Sequence, residues 1–112
     1  VKVLCEKLIL TCKMKNIDLP DLMLEPGRSI VGQAGCTLYN IGTIKEGSES
    51  VHYAAVNGGM TDNLRVALYQ AKYTGVLANK MTSSVKKRPY KIVGKCCETG
   101  DILIENICLP PC

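Results

Sequence analysis

Hydrophobic positions near the start of the chain follow a helical period. Apolar side chains recur every three to four residues over 1–15, which predicts an amphipathic helix. Pro20 prevents that helix from continuing. The uninterrupted apolar run at 22–24 is typical of a strand that is covered on both faces, as in a parallel sheet. Residues 1–35 are therefore expected to form one αβ unit that ends in a charged Pro-Gly loop.

After residue 35 the pattern is mainly that of short strands. Segments rich in β-branched and apolar residues are separated by turn residues, at 36–44, 51–56, 90–96 and 101–105. A turn is predicted over 45–50, and a helix over 62–73 with Thr61 or Asp62 as its cap. The inward face of this helix is expected to consist of Leu64, Ala67, Leu68 and Ala71. The predicted fold class is thus α+β and mostly β, with a barrel-like β region over 36–112 that contains one inserted helix.

The composition is that of a small globular domain. The chain has 112 residues, of which 46% are hydrophobic and 21% charged, and this excludes a disordered chain. No apolar run reaches the roughly 18 residues that a membrane-spanning helix needs. The net charge of +4 is densest at Lys86-Lys87-Arg88. No aromatic or glycine-rich stacking surface accompanies these cations, so nucleic acid is not an expected partner.

Cysteine usage indicates the compartment. The seven cysteines are an odd number, which argues against a complete disulfide framework, and their spacing is not that of a zinc site. No metal is therefore expected, and free thiols in a reducing cytoplasm are the favoured interpretation. The alternative is a secreted protein stapled by disulfides, which would require its thiols to be oxidised.

A charged Pro-Gly segment is the first candidate site. In Glu25-Pro26-Gly27-Arg28, the proline ring and the glycine allow a tight turn that holds a carboxylate and a guanidinium at defined angles. The planar guanidinium suits a phosphate or carboxylate ligand. The alternative interpretation is an ordinary exposed turn.

Two further segments combine groups of complementary chemistry. Arg65 and Tyr69 are four residues apart on the predicted helix, so they share a face and could receive a carboxylate; otherwise they are a surface arginine packed on a ring. The segment Cys97-Glu98-Thr99-Gly100-Asp101 sets a thiol beside a carboxylate at a strand end. Such a pair could donate a proton and bind a cation, or it could be a hairpin turn with solvated acids.

The order of these segments resembles that of the diaminopimelate decarboxylases, pyridoxal-phosphate enzymes of the alanine-racemase-like fold. The resemblance runs from Leu22 to Leu109 and depends on Glu-Pro-Gly-Arg, then Gly-Gly-Met-x-Asp-x-x-Arg-x-Ala-Leu-Tyr, then Cys-Glu-Thr-Gly-Asp. It implies that 1–35 is the last αβ unit of a TIM-type barrel and that 36–112 is part of a Greek-key-like C-terminal β-barrel domain. The implied activity is that of a carboxy-lyase of lysine biosynthesis, which converts meso-diaminopimelate to L-lysine.

The resemblance also implies a cofactor site. Glu25 would face the pyridine nitrogen of pyridoxal 5'-phosphate and keep it protonated, so that the ring remains an electron sink. Pro26, Gly27 and Arg28 would help to form the cofactor pocket, and Arg28 would also reach the substrate. The lysine that forms the Schiff base is expected upstream of Val1, so this chain is expected to be inactive alone.

Substrate roles follow from the same resemblance. Arg65 and Tyr69 would hold the carboxylate at the non-reacting end of the substrate, and Glu98 would accept the ammonium at that end. Cys97 would protonate the carbanion that remains after carbon dioxide leaves. In the family this Cys-Glu pair comes from the other subunit of a homodimer.

Two other functions are open. Ornithine- and arginine-type decarboxylases of the same fold share the Glu-Pro-Gly-Arg segment but usually have Asp after the reactive cysteine, so Glu98 favours diaminopimelate. From a different class, a non-catalytic module could use Arg28 and Arg65 as an anion-binding site. The sequence departs from the family pattern at Asn57, where Asp is usual, at Val66, where Pro is usual, and at Thr99, where Ser is commoner.

Overall fold

The computed structural model describes residues 1–47 and 51–112, and they form two compact units. The helical unit comprises Val1–Cys36 and the sheet unit comprises Thr37–Cys112. The turn predicted over 45–50 lies partly outside the described residues. Within the described ranges, no helix is both long enough and apolar enough to cross a membrane.

The helical unit begins with helix α1, Lys2–Lys15, which confirms the helix predicted from the apolar period. Lysines occupy its last turn, where positive charge interacts favourably with the free carbonyls of the helix end. Asn16 ends the helix in the left-handed region, at φ 52°. The short helix α2, Gly27–Val31, follows Pro26, whose restricted φ suits a helix start.

The strand predicted at 22–24 is wrong for this structure. These residues lie outside any strand, and Met23 is 88% exposed. A strand needs a neighbour to satisfy its backbone hydrogen-bonding groups, and the helical unit contains no strand among its described residues. The charged segment at 25–28 consequently does not follow a strand end, because its Gly27 is the first residue of α2.

The sheet unit contains a four-stranded mixed sheet in the order β1-β2-β3-β4. The elements in chain order are β1 Ile41–Glu46, β2 His52–Val56, helix α3 Arg65–Tyr69, β3 Arg88–Val93 and β4 Ile102–Leu109. β1 pairs antiparallel with β2, β2 pairs parallel with β3, and β3 pairs antiparallel with β4. Since parallel neighbours require a long crossover, the chain between β2 and β3 has room for the inserted helix that the sequence predicts.

The core of the sheet unit is small and centres on Ala54, Tyr90 and Leu109. Around it pack four partly buried apolar side chains, Ile41, Leu77, Ile92 and Ile107. The sequence contains no Phe or Trp, so Tyr90 supplies an aromatic ring to this core. Its hydroxyl oxygen accepts a hydrogen bond from the backbone N–H of Cys112 at 3.2 Å, which satisfies the polar end of the buried ring.

Some predicted bounds differ from those observed. β1 begins at Ile41 rather than at 36, and β4 continues to Leu109. Helix α3 has five residues, fewer than the span 62–73 predicts, and the expected inward residues Leu64 and Leu68 are exposed. The physical reason is local. The side chain of Asp62 accepts a backbone hydrogen bond from Gly59, which stabilises a turn before the helix instead of capping it.

Candidate functional site

Two loops of the sheet unit carry or lead to its four candidate residues, which are Arg65, Tyr69, Cys97 and Glu98. The diglycine loop, residues 57–62, follows β2 and leads towards α3, while the thiol loop, residues 94–101, joins β3 to β4. Because β2 and β3 are parallel neighbours, both loops leave the sheet at the same edge. Ligands of mixed and parallel sheets commonly bind where strand ends meet in this way.

Asp101 connects the two loops. Its side chain is buried, with 3% of the residue exposed. One carboxylate oxygen, Oδ1, accepts the backbone N–H of Met60 at 2.6 Å, and the other, Oδ2, accepts the backbone N–H of Cys96 at 2.8 Å. The main chains also meet directly, since the N–H of Lys95 donates to the carbonyl of Gly58 at 3.0 Å. The loops therefore form one hydrogen-bonded cluster.

Glycine is required where the backbone approaches this carboxylate. A Cβ atom added to Gly59 would lie 2.6 Å from Oδ2 of Asp101, and one added to Gly94 would overlap the same carboxylate. On the other side of the diglycine loop, a Cβ at Gly58 would overlap the ring of Tyr39. The two adjacent glycines thus allow the backbone to lie close to an acid and a ring of this same chain.

Tyr39 and Asp62 fix the outer side of the diglycine loop. The Tyr39 hydroxyl donates a hydrogen bond to Oδ2 of Asp62, and Oδ1 of Asp62 accepts the backbone N–H of Gly59 at 2.7 Å. Burial and the bond to Asp62 raise the pKa of Tyr39 to about 12. The same bond from Tyr39 lowers the pKa of Asp62 below its ordinary value of 3.8. At neutral pH the pair is a neutral phenol donating to a carboxylate.

Asn57 anchors the start of the same loop to the residue before β1. Its Oδ1 accepts the backbone N–H of Asn40 at 2.9 Å, and its own backbone N–H donates to the carbonyl of Asn40 at 3.1 Å. The side-chain bond requires only an acceptor oxygen, which a carboxylate would also provide. The departure from Asp at this position is therefore compatible with the observed contacts.

Arg65 and Tyr69 meet on α3 as their spacing predicts. The Cζ atom of Arg65 lies 5.1 Å from the centroid of the Tyr69 ring, and both residues are exposed. Neither of the ion pairs found among the described residues involves Arg65. A guanidinium stacked on a ring keeps the N–H groups at its edge available, so the pair can still bind a carboxylate.

Cys97 and Glu98 occupy the outer part of the thiol loop, and both are exposed. Oε1 of Glu98 accepts the backbone N–H of Gly100 and the hydroxyl of Thr99, each at 3.1 Å. These two hydrogen bonds, the backbone bond first, lower the pKa of Glu98. The loop therefore presents a thiol beside a carboxylate that is fully charged at neutral pH. The two interpretations of this segment, a hairpin turn and a thiol next to an acid, are compatible with each other.

The segment Glu25-Pro26-Gly27-Arg28 belongs to the helical unit and is exposed throughout. Gly27 has φ +25°, on the left-handed side that favours glycine. Arg28 lies on α2 and lines a shallow depression with Ser29, Ile30, Gly32 and Gln33. Its approach to the residues of the sheet unit stays a prediction.

Asp101 is the residue of this site that sequence reasoning missed. It ends the Cys-Glu-Thr-Gly-Asp segment, and an acid directly before an apolar strand is usually solvated. One of its two partners, Met60, comes from a loop far earlier in the chain, so no local pattern shows that Asp101 links two loops. The remaining polar groups are less informative. Among the described residues no three metal-binding side chains cluster, and all seven cysteines, which lie within those residues, are free thiols.

Comparison with known proteins identifies the family. Residues 5–112 match the family described as pyridoxal-dependent decarboxylase, C-terminal sheet domain. The diaminopimelate decarboxylase of Halalkalibacterium halodurans is 52% identical over 98 residues, which cover 85% of this chain and 21% of that protein. The corresponding enzyme of Bacillus subtilis is 53% identical over 95 residues, again 85% of this chain and 21% of that protein. The chain thus spans about a fifth of the length of the curated relatives it matches.

A solved structure supports the same assignment. The diaminopimelate decarboxylase of M. jannaschii in co-complex with L-lysine superposes with a TM-score of 0.70 at 30% sequence identity. The superposition covers 93% of this chain and 23% of that protein. The resemblance drawn from the three ordered segments is confirmed: the chain belongs to the family of pyridoxal-dependent decarboxylases, and it matches their C-terminal sheet domain.

Proposed function

We propose that the protein to which this chain belongs converts meso-diaminopimelate to L-lysine with pyridoxal phosphate. The observation that carries this proposal is that the sheet unit presents both an exposed cationic receptor and an exposed anionic one. A stacked Arg65–Tyr69 pair offers a cationic site for a carboxylate, and the charged Glu98 offers a site for an ammonium. A substrate with both groups at its far end matches this arrangement. The relatives named diaminopimelate decarboxylase support the same substrate.

The donor set of the helical unit fits the cofactor. Glu25 provides a carboxylate for a pyridinium N–H, and Arg28 provides a guanidinium for an anion, on a turn that Pro26 and Gly27 allow. When bound, the cofactor supplies the electron sink that decarboxylation requires. The chain's own residues keep the ring nitrogen protonated through Glu25 and orient the substrate through Arg28.

Cys97 is the proton donor of the proposed reaction. Its thiol is exposed on the thiol loop, where a ligand can reach it. It returns a proton to the carbon from which carbon dioxide has left, while Arg65, Tyr69 and Glu98 hold the opposite end of the substrate. Since a substrate lacking the far carboxylate would leave a receptor cation unpaired, the site discriminates against such analogues.

The architecture that accompanies this function contains two further parts. In the complete protein, residues 1–35 form the last αβ unit of a TIM-type barrel and 36–112 form part of a Greek-key-like β-barrel. Met23 is an exposed apolar side chain in this chain, and the further chain of a barrel would cover it. The enzyme is a cytoplasmic homodimer, and each site receives Cys97 and Glu98 from the other subunit.

The decisive experiment uses the full-length enzyme with diaminopimelate as substrate. Cys97→Ala is expected to lower kcat by about 10²- to 10⁴-fold, the usual contribution of a positioned proton donor. Cys108→Ala, at another exposed cysteine, is the matched control and is expected to leave kcat unchanged. Equal activity of the Cys97→Ala variant and the wild type would contradict the assignment.

A mixing experiment tests the shared site. Cys97→Ala in one subunit is combined with replacement of the Schiff-base lysine in the other, and the heterodimer is expected to recover part of the activity. An inactive mixture in which heterodimers form would refute the cross-subunit role. Preferential turnover of ornithine or arginine would favour the related decarboxylases, and anion binding without turnover would favour a non-catalytic module.

A further inference from the structure

The turn that leads into α3 is held from outside by Tyr39. The Tyr39 hydroxyl donates to Oδ2 of Asp62, and the ring lies so close to Gly58 that a Cβ there would overlap it. Arg65, the first residue of α3, follows Asp62 by three residues. We propose that Tyr39 is a positioning residue that holds Arg65 where it receives the far carboxylate of the substrate. This inference rests on the proposed function and deepens it, and it concerns only the receptor that a single chain supplies.

The position of Tyr39 is itself set by the sheet. Tyr39 lies two residues before β1, which begins at Ile41 and pairs there with the end of β2. Asn40, the residue between them, forms the two hydrogen bonds with Asn57 described above. The segment 39–40 therefore binds both ends of the diglycine loop, and it ties the turn before α3 to the sheet.

The backbone between Asp62 and Arg65 is fixed by its own contacts. The carbonyl of Gly59 accepts the N–H groups of Asp62 and Asn63, at 3.1 and 2.9 Å. Leu64 then has helical dihedral angles, φ −67° and ψ −18°, so α3 continues directly from this turn. The orientation of Arg65 consequently depends on where the turn at Asp62 is held.

Packing gives α3 little other support. The helix touches β4, yet none of its five residues is buried, and Leu68 and Tyr69 are 61% and 67% exposed. A helix this short is not stable through its own hydrogen bonds. Its entry turn is therefore its main attachment, and the Tyr39 hydroxyl is a principal contact of that turn.

Tyr39 also controls the charge beside the receptor. An acid three residues before an arginine lies close enough to pair with it where the chain turns into a helix, and such a pair would compete with the substrate carboxylate. Both oxygens of Asp62 are instead occupied, one by the Tyr39 hydroxyl and the other by the N–H of Gly59. Neither of the ion pairs found among the described residues joins Asp62 to Arg65. Loss of the hydroxyl would leave Oδ2 free to turn towards Arg65.

The test uses two ligands that differ only in the group that the receptor binds. L-lysine carries the far carboxylate, and 1,5-diaminopentane is the same diamine without it. In the full-length holoenzyme, Tyr39→Phe is expected to raise the Kd of L-lysine and the KM of diaminopimelate by about 3- to 10-fold, the range that ordering one flexible side chain costs. The Kd of 1,5-diaminopentane and kcat are expected to stay within about twofold of wild type, because the non-reacting end alone is affected.

Tyr53→Phe is the matched control, because it removes a tyrosine hydroxyl from the same sheet. Tyr53 lies on β2 and is 36% exposed, and no hydrogen bond of its hydroxyl is found within the part of the chain that the structure describes. This variant is expected to match the wild type with both ligands.

A double-mutant cycle identifies the group through which Tyr39 acts. In an Arg65→Ala background, Tyr39→Phe is expected to change the Kd of L-lysine by less than about twofold, because the side chain that it positions is absent. Calorimetric titration measures these constants without turnover. A dissociation constant does not depend on the fraction of the enzyme that is folded, so a partly unfolded variant still decides the question.

Three outcomes would overturn the inference. One is a Tyr39→Phe enzyme with wild-type affinity for L-lysine, and another is an equal loss of affinity for both ligands, which would assign Tyr39 to the general integrity of the site. The third is an undiminished effect of Tyr39→Phe in the Arg65→Ala background. Failure of the proposed function looks different, since a wild-type enzyme that binds both ligands equally would refute the receptor role of Arg65 itself.

Discussion

The helical unit and the sheet unit contain comparable candidate chemistry but support it very differently. In the sheet unit, the residues beside Cys97 and before Arg65 are held by a buried carboxylate and by direct backbone bonds. In the helical unit, the segment 25–28 is exposed, and Cys12 is the residue described as buried. Both units are rich in apolar side chains, yet only the sheet unit covers several of them among its own described residues.

The same kind of apolar sequence pattern therefore has different structural outcomes in the two units. In the sheet unit the pattern is satisfied by neighbouring strands, so it produces a core. In the helical unit the same type of pattern leaves most apolar side chains exposed, which is typical of a surface that contacts a partner or another part of a protein. The position of a candidate side chain is therefore better defined in the sheet unit, where neighbouring residues hold it, than in the helical unit.

The largest expected contrast is between replacing a buried side chain and replacing an exposed one in the 112-residue chain. Tyr90→Ala removes a ring that is 2% exposed and is expected to lower the free energy of unfolding by about 3–5 kcal/mol. Met23→Ala, at an apolar residue that is 88% exposed, is expected to change it by less than about 0.5 kcal/mol. Urea denaturation followed by circular dichroism measures both.

The full-length enzyme sharpens this contrast. There we propose that barrel strands cover the run at 22–24, so Met23→Ala becomes destabilising while Tyr90→Ala stays so. A Met23→Ala variant that is neutral in both contexts would show that the run never enters a strand, and would break the explanation of the exposed surface.

An intermediate effect is expected from two matched glycine substitutions. Gly94→Ala introduces a Cβ that would overlap the carboxylate of Asp101, and overpacking of this kind costs about 1–3 kcal/mol. Gly35→Ala, in the helical unit, places its Cβ where no heavy atom lies within 4 Å, so it is expected to be neutral or to stabilise by up to about 1 kcal/mol. Thermal unfolding of the chain distinguishes them; similar melting temperatures would contradict the tight packing of the thiol loop.

The smallest expected effect is the pH dependence of the Tyr39–Asp62 bond. The pKa of Tyr39 is raised to about 12. The stabilisation that the neutral Tyr39 hydroxyl gives the folded chain is therefore complete below pH 10 and is lost as the pH rises through about 12. The pKa of Asp62 is lowered, so its stabilisation is present above pH 3.8 and is lost as the pH falls through its folded-state pKa.

Tyr39→Phe should therefore be less stable than the wild type between these limits and equal to it beyond them, as measured by urea denaturation across pH. Tyr69→Phe, at a ring that is 67% exposed, serves as the control and is expected to follow the wild-type profile. A constant difference between Tyr39→Phe and wild type at every pH would exclude the ionisable bond as its cause.

Features set by near neighbours in the chain could be predicted from the sequence. Helix α1 follows from its apolar period, and the contact of Arg65 with Tyr69 follows from their spacing of four residues. The strand expected at 22–24 failed because pairing depends on chain elsewhere. Asp101 escaped prediction for a related reason, since the two N–H groups that it binds come from different loops.

The alternation of pairing in the sheet also has a consequence for how the unit folds. β3 and β4 are joined by a short connection, so their hairpin needs little loop closure and is expected to form early. The parallel ladder between β2 and β3 must first enclose residues 57–87, which is entropically slower. The strand connection that bears Cys97 is thus expected to be structured before the segment that bears Arg65 is in place, so that assembly proceeds from the β3–β4 hairpin outward.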